Sequence, residues 1–114
     1  MKSAYSSLPK VIAHRGSSGI APENTLASLH LAGQQGAKWV EIDVMLSGDG
    51  IPVIFHDDSL ARTTNGEGLI YKTPLTDLKK LDAGSWKHDK YHQETIPTLL
   101  EAIEVISQYG MGLN

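Results

Sequence analysis

The sequence predicts an α/β fold with a parallel sheet, and three observations support that prediction. A short apolar segment that ends at Gly16 has the character of a buried strand, and a helical pattern follows it as far as Gly36. A second apolar strand comes next, and a later helix is again followed by the start of a strand. Strands joined through a helix run parallel, with a right-handed crossover, so helices are expected to cover the sheet.

The first strand is expected in KVIAHRG, which runs from Lys10 to Gly16, and the first helix in APENTLASLHLAGQQGA. Asn24 is the predicted N-cap of that helix, because an asparagine side chain can accept a hydrogen bond from a free backbone N–H. Gly36 is the predicted end of the helix. Three apolar residues have the spacing of one helix face: Leu26, Leu29 and Ala32.

The second strand, KWVEIDVML, is followed by SGDG, which is too short for a parallel crossover and suits a hairpin. The segment IPVIFHDD is therefore expected to return antiparallel. If SGDG is the whole loop, Leu46 pairs with Ile51. The same register puts Glu41 opposite His56, and Glu41, Asp43 and His56 then share a face. A register shift of one residue would turn His56 to the other face, and the sequence leaves that alternative open.

A polar, turn-rich segment from Ser59 to Thr95 interrupts the alternation. NGEG is a strong turn signal there, and TPLTDLKKL is a short predicted helix. The helix PTLLEAIEVISQYG then resumes the pattern, with Thr98 and Glu101 at the spacing of a capping box. MGLN has the character of a strand cut off at its start, which would leave an unpaired edge, so the chain is expected to be incomplete.

The composition suits one soluble globular domain or a piece of one: 40% of the residues are hydrophobic, 20% are charged, and the formal net charge is −3. That acidic balance offers no basic stripe for nucleic acid. The absence of cysteine excludes disulfides and zinc sites built on thiolates. The sequence has neither a signal peptide nor an apolar run of the ~18 residues that a membrane span needs, so a cytoplasmic protein is expected.

Groups suited to phosphate chemistry close three separate predicted strands. His14 and Arg15 end the first strand, Glu41 and Asp43 lie in the second, and His56 follows the third. Paired carboxylates suit a hard cation such as Mg²⁺ or Ca²⁺, and arginine binds phosphate in a bidentate way. Two histidines can serve as acid and base near neutral pH. Each group alone has an ordinary structural interpretation, but their combination favours metal-assisted phosphoryl chemistry.

Other polar and aromatic residues carry weaker signals. His88 and His92 have a spacing that could hold zinc on a helix, but they lack the glutamate of a zincin motif and are interpreted as surface residues. His30 is also expected at the surface. Trp39 and Trp86 are interpreted as packing residues.

Several motifs, taken in order, are similar to those of the glycerophosphodiester phosphodiesterase family, and most of all to its bacterial cytoplasmic members. They are VIAHRG, APENTLAS, VEIDV, GIPVIFHDDSLARTTNGEG, LDAGSW and IPTLLEAI, and the resemblance extends from Lys10 to Asn114. It implies a TIM-type (β/α)8 barrel, of which residues 1–114 are the N-terminal part of a single phosphodiesterase domain. It also implies a small family insertion after the second strand, here 57–94.

The resemblance implies metal-dependent hydrolysis of glycerophosphodiesters, such as glycerophosphocholine, to sn-glycerol 3-phosphate and an alcohol, as part of glycerophospholipid catabolism. It does not say which histidine is the acid and which the base. The residues at the matching positions are His14 and His56 as acid and base, Arg15 as phosphate ligand, Glu23 as the residue that orients Arg15, and Glu41 and Asp43 as ligands of one divalent cation, Mg²⁺ or Ca²⁺.

The family's third metal carboxylate and a nearby lysine lie on the strand that begins here around Met111, and the sequence ends at Asn114. The 114-residue chain is therefore expected to be inactive alone. Two alternatives stay open. One is a non-catalytic chain that binds a partner or a phosphodiester, and the other is a related lyase that forms cyclic phosphates, as sphingomyelinase D does.

Overall fold

A computed structural model of the protein describes residues 12–114. Three parallel strands form the main sheet, in the order β1 (Ile12–His14), β2 (Trp39–Glu41) and β5 (Gly112–Leu113). The predicted parallel α/β arrangement is confirmed. Lys10, where the first strand was predicted to start, lies outside the described residues. The β1–β2 register places His14 beside Glu41, so two of the predicted functional residues are neighbours across the sheet.

The predicted hairpin forms, but in a different register. The second predicted strand is divided into β2 and β3 (Val44–Leu46), and β3 pairs antiparallel with β4 (Pro52–Ile54). Leu46 pairs with Pro52, so the predicted pair with Ile51 is wrong by one residue. The reason is that Ile51 belongs to the loop: its carbonyl accepts from Ser47 N at 2.9 Å, and its N–H donates to Ser47 Oγ at 3.0 Å.

Two helices pack against each other beside the sheet, α1 (Leu26–Gln34) and α3 (Leu99–Gln108). The predicted capping box of α3 is confirmed, because Thr98 Oγ1 accepts from Glu101 N and the Glu101 carboxylate accepts from Thr98 N. The main core lies under these helices. Its buried residues are Leu29, Ala32, Val40, Ile42, Ile54, Ala102, Val105, Ile106 and Met111.

Two predictions about α1 are wrong. Its N-cap is Thr25, whose side chain accepts from Ser28 N, and not Asn24. Asn24 instead adopts a left-handed conformation and directs its amide to Asp43. His30, expected at the surface, is half-buried, and its Nδ1 lies 3.1 Å from the hydroxyl oxygen of Tyr109 on the end of α3.

The polar segment between the hairpin and α3 contains three short helices: a 3₁₀ turn (Ile70–Lys72), α2 (Leu75–Leu78) and a second 3₁₀ turn (Asp89–Tyr91). The short helix predicted in TPLTDLKKL is therefore present. The segment also has a core of its own with the hairpin. The buried residues of that second core are Val53, Phe55, Leu60, Ile70, Leu78, Ala83 and Ile96.

Within residues 12–114, no helix has the length and apolar character needed to span a bilayer. His88 and His92 are both exposed, as predicted. Trp39 is half-buried and packs beside Gly112, where a Cβ would lie 2.3 Å from the indole ring. Trp86 is more exposed than a packing residue would be, although its indole N–H donates to Ala83 O at 3.0 Å.

Candidate active site

The site begins at the bend where the chain leaves β1. Arg15 has a φ of 56°, a left-handed conformation that a residue with a Cβ rarely adopts. Its carbonyl accepts from Asn24 N at 2.9 Å and from Ser28 Oγ at 3.1 Å, and its N–H donates to Glu41 Oε1 at 3.3 Å. Gly16 continues the bend, and a Cβ there would lie 2.4 Å from Ser28 Oγ. Contacts from both neighbouring segments therefore hold this unusual backbone in place.

Glu41 and Asp43 both lie against Arg15. Glu41 Oε1 is also 3.5 Å from His14 Nε2, so this carboxylate lies between the His14 ring and the Arg15 backbone. Asp43 Oδ2 is 3.2 Å from Arg15 Nε, at an angle that forms an ion pair but no hydrogen bond. Asn24 holds Asp43 from the other side, because its Nδ2 donates to Oδ2 at 3.0 Å and its Oδ1 accepts from Asp43 N at 3.3 Å. The structure thus brings both predicted metal ligands into contact with Arg15.

Glu23 is a second carboxylate that contacts the Arg15 guanidinium. Its Oε2 accepts a hydrogen bond from Arg15 Nη1 at 3.2 Å, and its side chain is only 10% exposed. Arg15 is therefore held between two carboxylates, Glu23 at Nη1 and Asp43 near Nε.

Arg62, for which the sequence indicated no role, donates four side-chain hydrogen bonds in the site. Its Nη1 and Nη2 donate to the two oxygens of Glu23, at 3.0 and 2.8 Å. Its Nε and Nη2 donate to the two oxygens of Asp57, at 2.8 and 3.0 Å. One available signal was that Arg15 and Arg62 are the only arginines in the sequence. Asp57, the residue after His56, is thus the second carboxylate partner of this guanidinium.

The hydrogen bonds from Arg62, reinforced by one from His56, lower the pKa of the Asp57 carboxyl to about 2. The same pairing, first with Asp57 and then with Glu23, raises the pKa of Arg62 above its already high ordinary value. Asp57 is therefore an anion at neutral pH and can only accept hydrogen bonds. His56 Nδ1 lies 2.7 Å from Asp57 Oδ1 and must be the donor, which leaves Nε2 without a proton in the neutral ring.

The structure does not place His56 opposite Glu41, and the prediction that rested on the hairpin register is wrong. The polar contact of the His56 ring within residues 12–114 is with Asp57. His56 is nevertheless connected to Glu23 and Arg15 through a series of side-chain contacts. The series runs from His56 to Asp57, Arg62, Glu23 and Arg15. Both histidine rings are accessible, since the His14 side chain is 66% exposed and that of His56 is 43% exposed.

The fit of a divalent cation can be tested from the donors present. Within the described part of the chain, no cluster of three or more histidine, aspartate or glutamate side chains is arranged to hold a metal. Glu41 and Asp43 supply two carboxylates at neighbouring positions. Mg²⁺ is commonly held by one or two carboxylates together with water and substrate phosphate, so these residues fit it. Ca²⁺ also binds to carboxylates, and like Mg²⁺ it would need further oxygen ligands beside this pair.

Comparison with known proteins adds independent information. Residues 14–114 match the model of the glycerophosphoryl diester phosphodiesterase family. The chain is 49% identical over 104 residues to a glycerophosphodiester phosphodiesterase of Caldanaerobacter subterraneus, which covers 91% of the chain and 43% of that relative. It is 44% identical over 94 residues to human glycerophosphodiester phosphodiesterase 1, which covers 81% of the chain and 28% of that relative.

Two solved structures are also similar. One is an Oleispira antarctica phosphodiesterase in complex with the product sn-glycerol-3-phosphate, with 86% identity and a TM-score of 0.93; the match covers 97% of this chain and 45% of that one. The other is a glycerophosphodiester phosphodiesterase from Agrobacterium tumefaciens, with 39% identity and a TM-score of 0.85; it covers 90% of this chain and 44% of that one. The chain thus spans less than half the length of these relatives. The matches confirm the predicted fold class, with this chain as a part of a TIM-type barrel.

Proposed function

Because the chain belongs to the glycerophosphoryl diester phosphodiesterase family, we propose that the intact protein hydrolyses glycerophosphodiesters to sn-glycerol 3-phosphate and an alcohol. The observation that carries the proposal is that both histidines are connected to Arg15: His14 through Glu41 and the Arg15 backbone N–H, and His56 through ion pairs that end at the Arg15 guanidinium. The similarity to a phosphodiesterase whose solved structure contains the product sn-glycerol-3-phosphate supports the same substrate class.

Arg15 is proposed to bind the substrate phosphate. Its guanidinium is held by Glu23 and Asp43 and is 19% exposed, so it is oriented before a substrate arrives. A planar, permanently charged guanidinium suits a phosphodiester oxygen, and a preset orientation avoids an ordering cost on binding. At the left-handed bend, the Arg15 side chain contacts Asp43 while the Arg15 backbone N–H donates to Glu41.

His14 and His56 are proposed as the acid and base. Water attacks phosphorus, and its proton passes to one histidine while the P–O bond to the alcohol breaks. The leaving oxygen takes a proton from the other histidine. His56 is prepared for either task at Nε2, because its Nδ1–H is engaged by Asp57. A second route uses a glycerol hydroxyl as nucleophile and passes through a cyclic phosphate that water then opens.

Glu41 and Asp43 are proposed to hold one divalent cation, Mg²⁺ or Ca²⁺. When bound, the cation supplies charge that polarises a phosphoryl oxygen. The described residues contribute the two carboxylates and keep them in position through Asn24 and the Arg15 backbone.

Residues 57–94 are proposed to be the insertion of the family. Support comes from the second apolar core, in which Leu60, Ile70 and Leu78 of this segment pack with Val53 and Phe55 of the hairpin. The cytoplasmic location and the role in glycerophospholipid catabolism also stand as proposals, which cell fractionation and growth on glycerophosphodiesters would test.

The test is product analysis by ³¹P NMR with the intact protein, Mg²⁺ and glycerophosphocholine. The proposal expects glycerol 3-phosphate as the end product, and EDTA should abolish its formation. A cyclic phosphate that accumulates as the end product would instead support the lyase alternative. No turnover of any glycerophosphodiester by the folded protein would support the non-catalytic alternative.

A further inference from the structure

We propose that Arg62 is a positioning residue that couples the acid–base group His56 to the phosphate-binding Arg15. It does so through two carboxylates, Asp57 on one side and Glu23 on the other. The roles of His56 and Arg15 in this inference rest on the proposed function, whereas the coupling itself is a property of the side-chain geometry.

Arg62 holds Asp57 and Glu23 in a fixed geometry. One guanidinium makes four hydrogen bonds of 2.8 to 3.0 Å and uses both oxygens of each carboxylate. Paired hydrogen bonds of this kind fix the orientation as well as the distance, because the guanidinium is planar and its donors have a rigid arrangement. Movement of Asp57 relative to Glu23 would therefore break at least one pair.

One oxygen of each carboxylate is shared between Arg62 and another residue of the site. Glu23 Oε2 accepts from both arginines, at 2.8 Å from Arg62 Nη2 and 3.2 Å from Arg15 Nη1. Asp57 Oδ1 likewise lies 3.0 Å from Arg62 Nη2 and 2.7 Å from His56 Nδ1. Arg62 thus shares one oxygen with Arg15 and another with His56, so its position bears on both.

The backbone on both sides of Arg62 is held in place by the protein interior and by hydrogen bonds. The residue lies on an exposed turn whose flanks are anchored, because Leu60 is 1% exposed and Thr64 N donates to Leu60 O at 3.1 Å. Leu60 N also donates to Gly68 O at 3.0 Å. The segment after the hairpin therefore contributes directly to the site, through a residue placed by its own small core.

Through Asp57, Arg62 influences which nitrogen of the His56 ring carries the proton. With Asp57 fixed as an anion, the neutral His56 ring carries its proton on Nδ1 and keeps Nε2 free. Without Arg62, Asp57 loses both of its donors from the guanidinium, and its bond to Nδ1 is no longer held in one direction. The form with the proton on Nε2 then becomes populated, and that form cannot act as a base at the atom left open to solvent.

The experiment compares the intact wild-type protein with Arg62→Ala, Arg62→Lys and the control Lys79→Ala. Lys79 also pairs with a carboxylate, Glu101, at 2.6 Å, but outside the site. Two readouts are taken: the ¹⁵N NMR signature of the His56 tautomer, and kcat and KM for glycerophosphocholine. The expected results for Arg62→Ala are a shift of His56 toward the Nε2–H form and a fall in kcat of roughly 10- to 100-fold, as for other residues that orient catalytic groups.

The Lys variant keeps the charge but cannot bond both carboxylates in pairs, so it should restore only part of kcat, and Lys79→Ala should match the wild type. An unchanged His56 tautomer in folded Arg62→Ala and Arg62→Lys would overturn the coupling, whatever happens to stability. The NMR readout needs no turnover, so a wild-type protein with no phosphodiesterase activity would contradict the proposed function and leave the coupling to be decided by the tautomer alone.

Discussion

His14 and Glu41 are direct neighbours on the parallel strands β1 and β2, and the His14 Nε2 atom lies 3.5 Å from Glu41 Oε1. The pairing places a candidate proton carrier beside a candidate metal ligand at the carboxyl end of the sheet, where sites form in parallel α/β folds. Arg15 follows at once, and its left-handed backbone donates to the same Glu41 oxygen. This short stretch of backbone thus organises much of the proposed chemistry.

The left-handed conformation of Asn24 should be needed for stability. Asn24→Ala is expected to lower the free energy of unfolding by about 2–3 kcal/mol, from a left-handed backbone cost of ~1–2 kcal/mol and the loss of hydrogen bonds to Asp43. Asn24→Gly removes the same side chain without that backbone cost and should lose about 1 kcal/mol less than the alanine variant. Urea denaturation of both variants measures the difference. Equal losses would mean that the conformation contributes nothing.

Asp57 should make stability depend on pH in an acidic window. Its folded-state pKa of about 2 lies below the ordinary aspartate value, so its contribution is complete above pH ~4 and is lost as the pH falls toward 2. The stability of Asp57→Asn should therefore fall less steeply than that of the wild type across this window. Denaturation midpoints at several pH values measure the slopes. Asp58→Asn, at the exposed neighbouring position, is the control and should retain the wild-type slope.

Cation binding should depend on the carboxylates beside Arg15. Glu41→Gln and Asp43→Asn are each expected to weaken Mg²⁺ binding by on the order of tenfold or more, because each removes a charged oxygen ligand. Isothermal titration calorimetry of the intact protein measures the affinity without reference to turnover. Glu104→Gln, on the exposed side of α3, removes the same charge and should leave the affinity unchanged. If Glu41→Gln and Asp43→Asn both bind Mg²⁺ as tightly as the wild type, the cation site lies elsewhere.

Local patterns allowed much of this structure to be predicted from the sequence. The strand–helix–strand order was enough to expect a parallel sheet, and the Thr98–Glu101 spacing was enough to expect a capped helix. These features depend on residues close together in the chain. The TIM-type barrel itself followed from the family resemblance, since the residues alone indicated only a parallel α/β fold.

The wrong predictions concern features that depend on contacts between residues far apart in the sequence. Asn24 and Thr25 are both good N-caps, and Asn24 is drawn away by Asp43. The hairpin register depends on a loop that is also held from outside, since Gly48 N donates to Thr73 O at 2.8 Å. Arg62 was missed because one of its partners, Glu23, lies 39 positions away. No local pattern reports such a contact.

The proposed acid and base roles of His14 and His56 can be tested by the rate of glycerol 3-phosphate release from the intact protein. His14→Ala and His56→Ala are measured beside His88→Ala and His92→Ala. The latter two remove exposed histidines outside the network. We expect a loss of at least ~10²-fold in kcat for His14→Ala and for His56→Ala, as for removal of a general acid or base, and wild-type rates for the two control variants. Wild-type turnover by folded His14→Ala or His56→Ala would show that the histidine concerned is neither the acid nor the base.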